Sequence, residues 1–498
     1  MEKKLKNRVI KNSFWSFATG AISRVGALIF SVLLARILLP EGFGIYSIVI
    51  SIAMVAYTFA DLGIGQTLTR YLSYSLAKEK NKAYSYYFYL LKLKFLLALV
   101  SSGALLLLSY PLSFFVFKNP SMFLPLVLSS VYTFILSFDL FYTQVFYSVE
   151  KFKYLTIKEI INQASKILLS IPLFYLAILS YRLYGVFFIL ILSSLVLLAY
   201  SFHYSKIIFP QLKKKNIVPI DKKRVIKFFS SLIFISISGI FLASIDTFLL
   251  GIFLKPEFVG YYKAAFSLIN GIVGLLSSAN IIFLPLFTKL EKSALYLFLN
   301  QIIKRISIII IPSTFGILAL GNYFIKFFYG SLYMPATFPL YVFSFLIFPM
   351  VLINIFSYFF AAKEKPEIFA KISMITCLIS GILILLFVKI FSLVSPLLAI
   401  VSVAFAVLIS WTFYFLMLYN QLKEKFNLKI SFRCIVRPLI ASLIMSGALI
   451  FSLFFIEDMT FMKGVTEVLL GVSVYFVVML LIRGIRKEDL NLLKFLRY

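Results

Sequence analysis

Fourteen apolar segments, each long enough to cross a lipid bilayer as a helix, follow one another along the chain. A transmembrane helix needs about 20 mostly apolar residues, because the hydrocarbon core is about 30 Å thick and each helical residue rises 1.5 Å. Only 14% of the residues are charged, whereas soluble domains average about 25%. We therefore predict an all-α integral membrane protein with about 14 transmembrane helices, near residues 13–38, 43–68, 90–115, 121–147, 155–178, 183–203, 228–254, 259–286, 304–328, 336–361, 370–390, 393–418, 435–456 and 464–483.

The positive charges are distributed unevenly over the loops between these segments. If the N-terminus lies inside the cell, 37 of the 49 Lys and Arg residues fall in inner segments and 7 in outer ones. This bias is the positive-inside pattern, and it accounts for the net charge of +30 without a nucleic-acid partner. We predict a multi-pass protein of the cytoplasmic membrane with both termini in the cytoplasm.

The sequence also contains an internal echo. Residues 33–46 read LLARILLPEGFGIY and residues 249–262 read LLGIFLKPEFVGYY, with seven identical positions at a constant offset of 216. Each copy lies in a polar break between two apolar segments. Within the first copy, Pro40 and Gly44 suit a tight turn, and Glu41 is placed to cap the next helix.

The position of the two copies predicts a parallel repeat. Both copies fall in outer loops, and the six spans between them give the two halves the same orientation in the membrane. We predict two pseudo-symmetric six-helix lobes, residues 1–212 and 228–426, joined by a basic cytoplasmic linker at 213–227. An additional helix pair and a basic cytoplasmic tail occupy residues 427–498.

These motifs resemble those of a known family. LLARILLPEGFGIYSIVIS followed by ADLGIGQTLTRYLS, and later IDTFLLGIFLKPEFVGYYKAAFSLIN with SSANIIFLPLFTKL, are similar to the two lobe starts of the oligosaccharide/polysaccharide flippases, the O-antigen-type transporters. That family belongs to the multidrug/oligosaccharidyl-lipid/polysaccharide exporter superfamily. The resemblance implies two six-helix bundles plus a helix pair, and export of lipid-linked sugars.

From the resemblance we expect a flippase rather than an enzyme. It would move a lipid-linked oligosaccharide of the polyprenyl-phosphate or pyrophosphate type from the inner to the outer leaflet by alternating access, for surface polysaccharide biosynthesis. Membrane lipids and glycan-assembly proteins are the other expected partners. No GxxxxGK[ST] phosphate loop occurs, so we expect no ATP hydrolysis by this chain. We also expect no cofactor, and coupling to Na+, H+ or the membrane potential.

Two other functions in the same superfamily stay open. A peptidoglycan-lipid flippase shares the 14 helices and a cationic cavity. A drug/cation antiporter generally has twelve helices and an acidic cavity, which fits this chain less well. A sugar polymerase or ligase would need catalytic groups on a substantial outer loop, and the outer loops here are short.

Arg24 is the most deeply placed charge in the predicted spans. It lies thirteen residues after Lys11 and twelve before Arg36, which places it about 18–20 Å from either end of the helix. Such a group usually faces a cavity or a partner. Either it contacts the phosphate or pyrophosphate of a lipid-linked substrate, or it forms an internal ion pair with Asp61 or Asp139.

Two lysines are further candidates for the substrate cavity. Lys166 lies eight residues past Lys158 in the fifth span, and either lines the cavity or extends toward the inner surface. Lys263 lies in the eighth span. By contrast, Lys92 and Lys94 are expected to mark the inner edge of the third span. The predicted cavity residues are therefore Arg24, Asp61, Lys166 and Lys263.

Three acidic residues, Asp61, Asp139 and Asp246, are candidates for a coupling-ion site or for ion pairs. Asp61 precedes two glycines in DLGIGQ and is placed to pair with Arg24 or Arg70, or to bind a cation. The two cysteines, at positions 377 and 434, and the single histidine, at position 203, have no metal-ligand spacing. We predict no metal site.

Overall fold

The computed structural model of the chain describes residues 2–176, 178–210, 217–278, 283–289, 292–428, 433–456 and 461–484. Within these ranges every regular element is helical and no β-strand occurs, which confirms the all-α prediction. The described α-helices are α1 Glu2–Asp61, α2 Ile64–Lys78, α3 Ala83–Pro111, α4 Phe123–Ser148, α5 Phe152–Ser170, α6 Leu179–Ile208, α7 Lys222–Phe253, α8 Pro256–Ser277, α9 Phe283–Lys289, α10 Lys292–Tyr329, α11 Thr337–Ser344, α12 Ile347–Ala362, α13 Pro366–Phe391, α14 Pro396–Phe426, α15 Arg433–Leu453 and α16 Phe461–Leu481.

Many of these helices are long and apolar enough to cross a membrane. Across the described ranges 11 segments meet that condition, or up to 12 if the bent pair Ser331–Ser344 and Ile347–Ala362 forms one span. One segment, Phe14–Lys78, has 65 residues, and a straight helix of that length would extend about 98 Å. It bends at Leu39 and so contains more than one predicted span. The chain is a multi-pass membrane protein, and the count of 14 stays a prediction.

The chain divides into two compact units. The first comprises residues 1–267 and 370–407, and the second residues 268–369 and 408–498. In the first, α1 packs against α3, α4, α5 and α7, and α4 packs against α6. In the second, α10 packs against α11 and α15, and α15 against α16. These units differ from the predicted lobes, because α7 packs along α1, so the lobe boundaries stay a prediction.

Both copies of the echo begin a helix. Leu39 leaves the helical region with φ 60°, and Pro40 starts the second half of α1; Pro256 is the first residue of α8. Proline fits this position because its missing N–H would have no intrahelical partner. The predicted tight turn is therefore wrong for Gly44, which lies inside the helix one turn after Pro40.

The two helix starts touch each other through their glycines. A Cβ atom on Gly44 would overlap the carbonyl oxygen of Pro256 and lie 3.1 Å from the backbone nitrogen of Gly260. A Cβ atom on Gly260 would overlap the carbonyl oxygen of Pro40 and lie 3.3 Å from the nitrogen of Gly44. Only glycine allows two backbones to approach this closely. The duplicated motif thus builds a reciprocal contact between α1 and α8.

The second unit contains an apolar groove of about 410 Å³ between α10, α15 and α16. Its wall consists of aliphatic and aromatic side chains together with glycines, and its polar groups come from Ser313 and Tyr475. The Tyr475 hydroxyl donates a hydrogen bond to the carbonyl of Ile308 at 2.8 Å. Because that donor is satisfied within the protein, the groove suits an apolar occupant.

The crossing of α1 and α5 generates a stability prediction. A Cβ atom on Gly26 would lie 2.8 Å from the Cβ of Gln163, so rotation of the Gln163 side chain cannot relieve the clash. Gly26→Ala should therefore destabilise the protein by about 1–3 kcal/mol, as overpacked sites do. The measurement is the midpoint of thermal unfolding of the purified protein in detergent.

Gly103→Ala is the matched control for Gly26→Ala. Gly103 also lies inside a helix, α3, and nothing approaches within 4 Å of its added Cβ. Alanine is favoured over glycine inside a helix by about 1 kcal/mol, so this variant should unfold at or above the wild-type midpoint. A Gly26→Ala midpoint equal to that of Gly103→Ala would contradict the close crossing.

Candidate functional site

A cavity of about 470 Å³ lies in the first unit among α1, α4, α5, α6, α7 and α8. Its volume is within the range of about 300–1,000 Å³ that small-molecule sites occupy. Among the described residues, the charged side chains that line it are those of Lys166 and Lys263, and none of the described lining residues is acidic. The other polar lining residues carry hydroxyls or an amide: Ser31, Tyr46, Ser47, Ser51, Tyr132, Gln163, Ser244 and Ser267.

The glycine contact explains why several of these residues face the cavity. Ser47 and Ser51 follow Gly44 by three and seven residues, and Lys263 and Ser267 follow Gly260 by the same intervals. Residues at these spacings lie on one face of a helix. The two helices therefore present equivalent positions to the cavity, and the second copy carries a lysine where the first carries a serine.

Lys166 contributes an ammonium group to the cavity. It lies in α5 and is partly buried. In the part of the chain that the structure describes, no hydrogen bond or ion pair joins its Nζ atom to another residue. A positive charge inside a membrane span is costly unless it is paired or faces a water-filled cavity. Lys166 is thus available to an anion that enters the cavity.

Lys263 lines the same cavity from α8. Its Nζ atom is 3.8 Å from a carboxylate oxygen of Asp246 and 5.2 Å from the centre of the Phe266 ring. Asp246 is already well satisfied, because it accepts hydrogen bonds from the Tyr262 hydroxyl at 2.8 Å and the Thr247 hydroxyl at 2.9 Å. The long Lys263–Asp246 separation leaves most of the donor capacity of Lys263 free.

Arg24, a predicted cavity residue, is not among the described residues that line this cavity, although it lies in α1 close to two that do. It is exposed, and it precedes two lining residues, Ala27 and Ser31, by three and seven positions. The equivalent position in the repeat, 216 residues later, is Ile240, which itself lines the cavity. Among the described residues Arg24 has no recorded ion pair.

Gln163 supplies an uncommitted acceptor. It is 8% exposed, and its Oε1 atom has no hydrogen-bond partner among the described residues. Its Nε2 atom donates to a carboxylate oxygen of Glu159 at 2.7 Å, and Asn162 donates to the same oxygen at 3.4 Å. Glu159 was not among the predicted site residues. Its position four residues before Gln163 would have predicted this hydrogen bond, because residues at that spacing are neighbours on a helix.

Asp61 does not line the cavity, contrary to our prediction. One of its carboxylate oxygens accepts a hydrogen bond from Lys94 at 2.7 Å. The Lys94 side chain is 0% exposed, and its ammonium lies 5.2 Å from the centre of the Tyr57 ring. The interpretation of Lys94 as an edge marker is also wrong, since α3 begins at Ala83 and so places Lys94 three turns inside the helix.

Asp139 forms a second buried ion pair. Its Oδ2 atom accepts a hydrogen bond from Lys158 at 2.7 Å, and its Oδ1 atom accepts one from Ser201 at 2.8 Å. Lys158 also donates to the Thr143 hydroxyl. Neither Asp61 nor Asp139 pairs with Arg24, so the ion-pair alternative for Arg24 is not observed. Within the described ranges, no three His, Cys, Asp or Glu residues gather to hold a metal.

The Asp61–Lys94 pair generates a prediction about stability. Removing one member of a buried ion pair leaves an uncompensated charge, which typically costs about 3–5 kcal/mol. Asp61→Asn and Lys94→Met should therefore each lower the midpoint of thermal unfolding, while the double variant Asp61→Asn/Lys94→Met should recover most of the loss. Additive losses in the double variant would show that the two side chains do not interact.

Comparisons with known proteins agree with this fold. The model of the family described as polysaccharide biosynthesis protein matches residues 9–291, more than half of the chain. The structure of the lipid II flippase MurJ in an inward closed conformation superposes with a TM-score of 0.72 at 17% identity, covering 94% of this chain and 99% of that one. No curated protein matches the chain in sequence.

Two multidrug transporter structures are also similar. An inward-facing MATE family transporter of the MOP superfamily gives a TM-score of 0.60 at 13% identity, covering 81% of this chain and 98% of that one. A eukaryotic MATE transporter gives 0.55 at 11% identity, covering 87% and 100%. The predicted family resemblance and the prediction of a transporter rather than an enzyme are confirmed. The chain belongs to the polysaccharide biosynthesis protein family and has the fold of the MOP superfamily.

Proposed function

We propose that this protein is a flippase for a lipid-linked oligosaccharide. The headgroup, with its phosphate or pyrophosphate, enters the cavity of the first unit and leaves on the other side of the membrane by alternating access. The observation that carries the proposal is the cavity lining, which contains Lys166 and Lys263, no acidic residue and a set of hydroxyl and amide groups. The membership of a polysaccharide biosynthesis family supports the same substrate class.

The chemistry of the lining fits both parts of such a headgroup. Ammonium groups bind phosphate oxygens through charge-assisted hydrogen bonds, which are about twice as strong as neutral ones. The Ser47 and Ser51 hydroxyls donate to carbonyls of their own helix at 2.7 Å, so within the cavity they present acceptors. The free Oε1 atom of Gln163 is a further acceptor. Sugar hydroxyls can donate to all three.

The lipid part of the substrate stays in an apolar environment. A polyprenyl chain gains about 0.8 kcal/mol for each CH₂ group kept out of water, so the chain would remain in the bilayer while the headgroup crosses. The apolar groove between α10, α15 and α16 is a surface of the kind that such a chain can contact. We propose that the protein acts in the cytoplasmic membrane alongside proteins that assemble the glycan.

The membrane potential is sufficient to favour export of an anionic headgroup. An inside-negative potential drives each negative charge outward by about 2.3 kcal/mol per 100 mV. Two of the three acids that were candidates for binding a coupling ion, the partly exposed Asp61 and the buried Asp139, are each paired with a lysine at 2.7 Å. We therefore favour direct use of the potential over a Na+ or H+ site at these carboxylates.

A lipid II flippase is the second candidate function, because the fold similarity to MurJ extends over 94% of this chain. The family match favours a polysaccharide precursor instead. A drug/cation antiporter fits least well, since a cavity with two lysines and no acidic lining residue repels cations. The lipid pools of a deletion strain separate the first two: our proposal expects accumulation of a lipid-linked oligosaccharide and an unchanged lipid II pool.

Lys166 provides the direct test of substrate binding. In a strain lacking the gene and complemented with variants, Lys166→Ala should reduce surface polysaccharide by about tenfold or more, since losing one partner of a desolvated charge pair costs about 2–5 kcal/mol. Lys166→Arg keeps the charge and should retain most of the export. The measurement is surface polysaccharide per cell at matched protein level.

Lys92→Ala is the matched control for Lys166→Ala. Lys92 lies in a membrane helix, is exposed and faces the Phe88 ring at 4.6 Å rather than the cavity. The same loss of charge there should leave export near the wild-type level. Export by Lys166→Ala equal to that of Lys92→Ala would rule out Lys166 as a substrate contact.

A further inference from the structure

We propose that the reciprocal glycine contact between the two copies of the echo is the gate that closes the cavity toward the predicted outer side. The inference rests on the alternating-access mechanism proposed above. It assigns a mechanical role to Gly44 and Gly260: the first turns of two helices, the second half of α1 and α8, meet there backbone to backbone. Outward release of a headgroup requires these two turns to separate.

The contact lies at the edge of the cavity. Phe43, Tyr46 and Ser47, which flank or follow Gly44 within one turn, all line the cavity, and so does Lys263, one turn after Gly260. Each helix therefore runs from the glycine contact directly into the cavity wall. The two backbones touch at the glycines, and side chains one turn later line the cavity.

An apolar contact beside the glycines completes the closure. A Cβ atom on Gly251 of α7 would lie 2.9 Å from Cδ1 of Ile48 and 3.1 Å from a ring carbon of Phe117. Phe117 in turn meets Phe248 edge to face, with ring centres 5.5 Å apart. Another glycine thus allows α7 to pack closely against α1 on the same side of the cavity.

The charges at the two helix starts do not hold the helices together, so the helices can separate there. Both helices meet at their N-termini, where the helix dipole leaves a partial positive charge, and each carries one glutamate in its first turn, Glu41 and Glu257. Each helix start faces another start with the same charges, so these charges supply no attraction between the two helices. Close packing at the glycines holds the contact, and a side chain that prevents the packing favours the separated state.

Alanine at either glycine should therefore open the gate. The added Cβ would overlap the carbonyl oxygen of the opposite proline, which is backbone and cannot rotate away. The two helix starts must move apart to accommodate it. Because both substitutions relieve the same contact, Gly44→Ala and Gly260→Ala together should have little more effect than either one alone.

The test measures access to the cavity and needs no substrate. Both native cysteines, Cys377 and Cys434, are first replaced by serine, and a single cysteine is introduced as Ser47→Cys, a lining position that is 8% exposed. Whole cells are treated with a membrane-impermeant thiol reagent, and the labelling rate of the purified protein is measured. Gly44→Ala or Gly260→Ala should raise that rate by about tenfold, the scale expected from overpacking a close contact.

Gly239→Ala is the matched control for the two gate variants. Gly239 lies in α7, and nothing approaches within 4 Å of its added Cβ, so the labelling rate should not change. Labelling at the control rate in a correctly folded gate variant, judged by a single symmetric elution peak, would overturn the proposal. If Gly44→Ala does not fold, Gly260→Ala tests the same contact from the other helix.

The labelling test of the gate and the export test of the proposed function can succeed or fail independently. Faster labelling in the gate variants of a protein that exports no lipid-linked glycan would support the gate and reject the flippase assignment. Unchanged labelling in a protein that exports the glycan would reject the gate alone. Additive effects in the double variant would show that the two glycines act at separate contacts, which also overturns the proposal.

Discussion

The backbone contact between Gly44 and Gly260 is the constraint on which the cavity depends. The second half of α1 and α8 each begin with a proline followed by a glutamate, and their backbones meet at these two glycines. The residues three and seven positions after each glycine line the cavity. Lys263 faces the cavity for this reason, since it lies one turn beyond the contact glycine. The duplicated motif therefore positions α1 and α8 beside the cavity.

Four lysines of the first unit are of two kinds. Lys94 and Lys158 pair at 2.7 Å with the partly exposed Asp61 and the buried Asp139, and these pairs hold helices of the first unit together. Lys166 and Lys263 face the cavity, the first without a described protein partner and the second 3.8 Å from an acid that already has other donors. Because an unpaired charge inside a membrane span is costly, Lys166 and Lys263 are best understood as part of a binding site. The repeat does not copy these cavity charges, because the position in the first copy that corresponds to Lys263 is Ser47.

Sequence patterns predicted the helices and the cavity lysines better than the ion pairs. Lys166 and Lys263 were candidates because they lie inside apolar segments. Lys94 was expected to mark the inner edge of its span and Lys158 was given no partner, since a lysine near the end of a predicted span has the same sequence pattern whether it extends to the surface or pairs with an acid inside the protein. Helix packing determines which acid, if any, pairs with such a lysine, and a single sequence does not reveal that packing. Gly44 was misjudged for the same reason: its role is a close approach to another helix, and the local sequence suggested a turn.

The proposed mechanism requires an anionic headgroup held in the cavity by Lys166 or Lys263. The most direct measurement is an experimental density map of the purified protein with a polyprenyl-pyrophosphate oligosaccharide bound. We expect phosphate density within hydrogen-bond reach of the Nζ atoms of Lys166 or Lys263, and sugar density beside Ser47, Ser51 and Gln163. Phosphate density confined to the surface of the protein, with the cavity holding only water or lipid, would contradict the account.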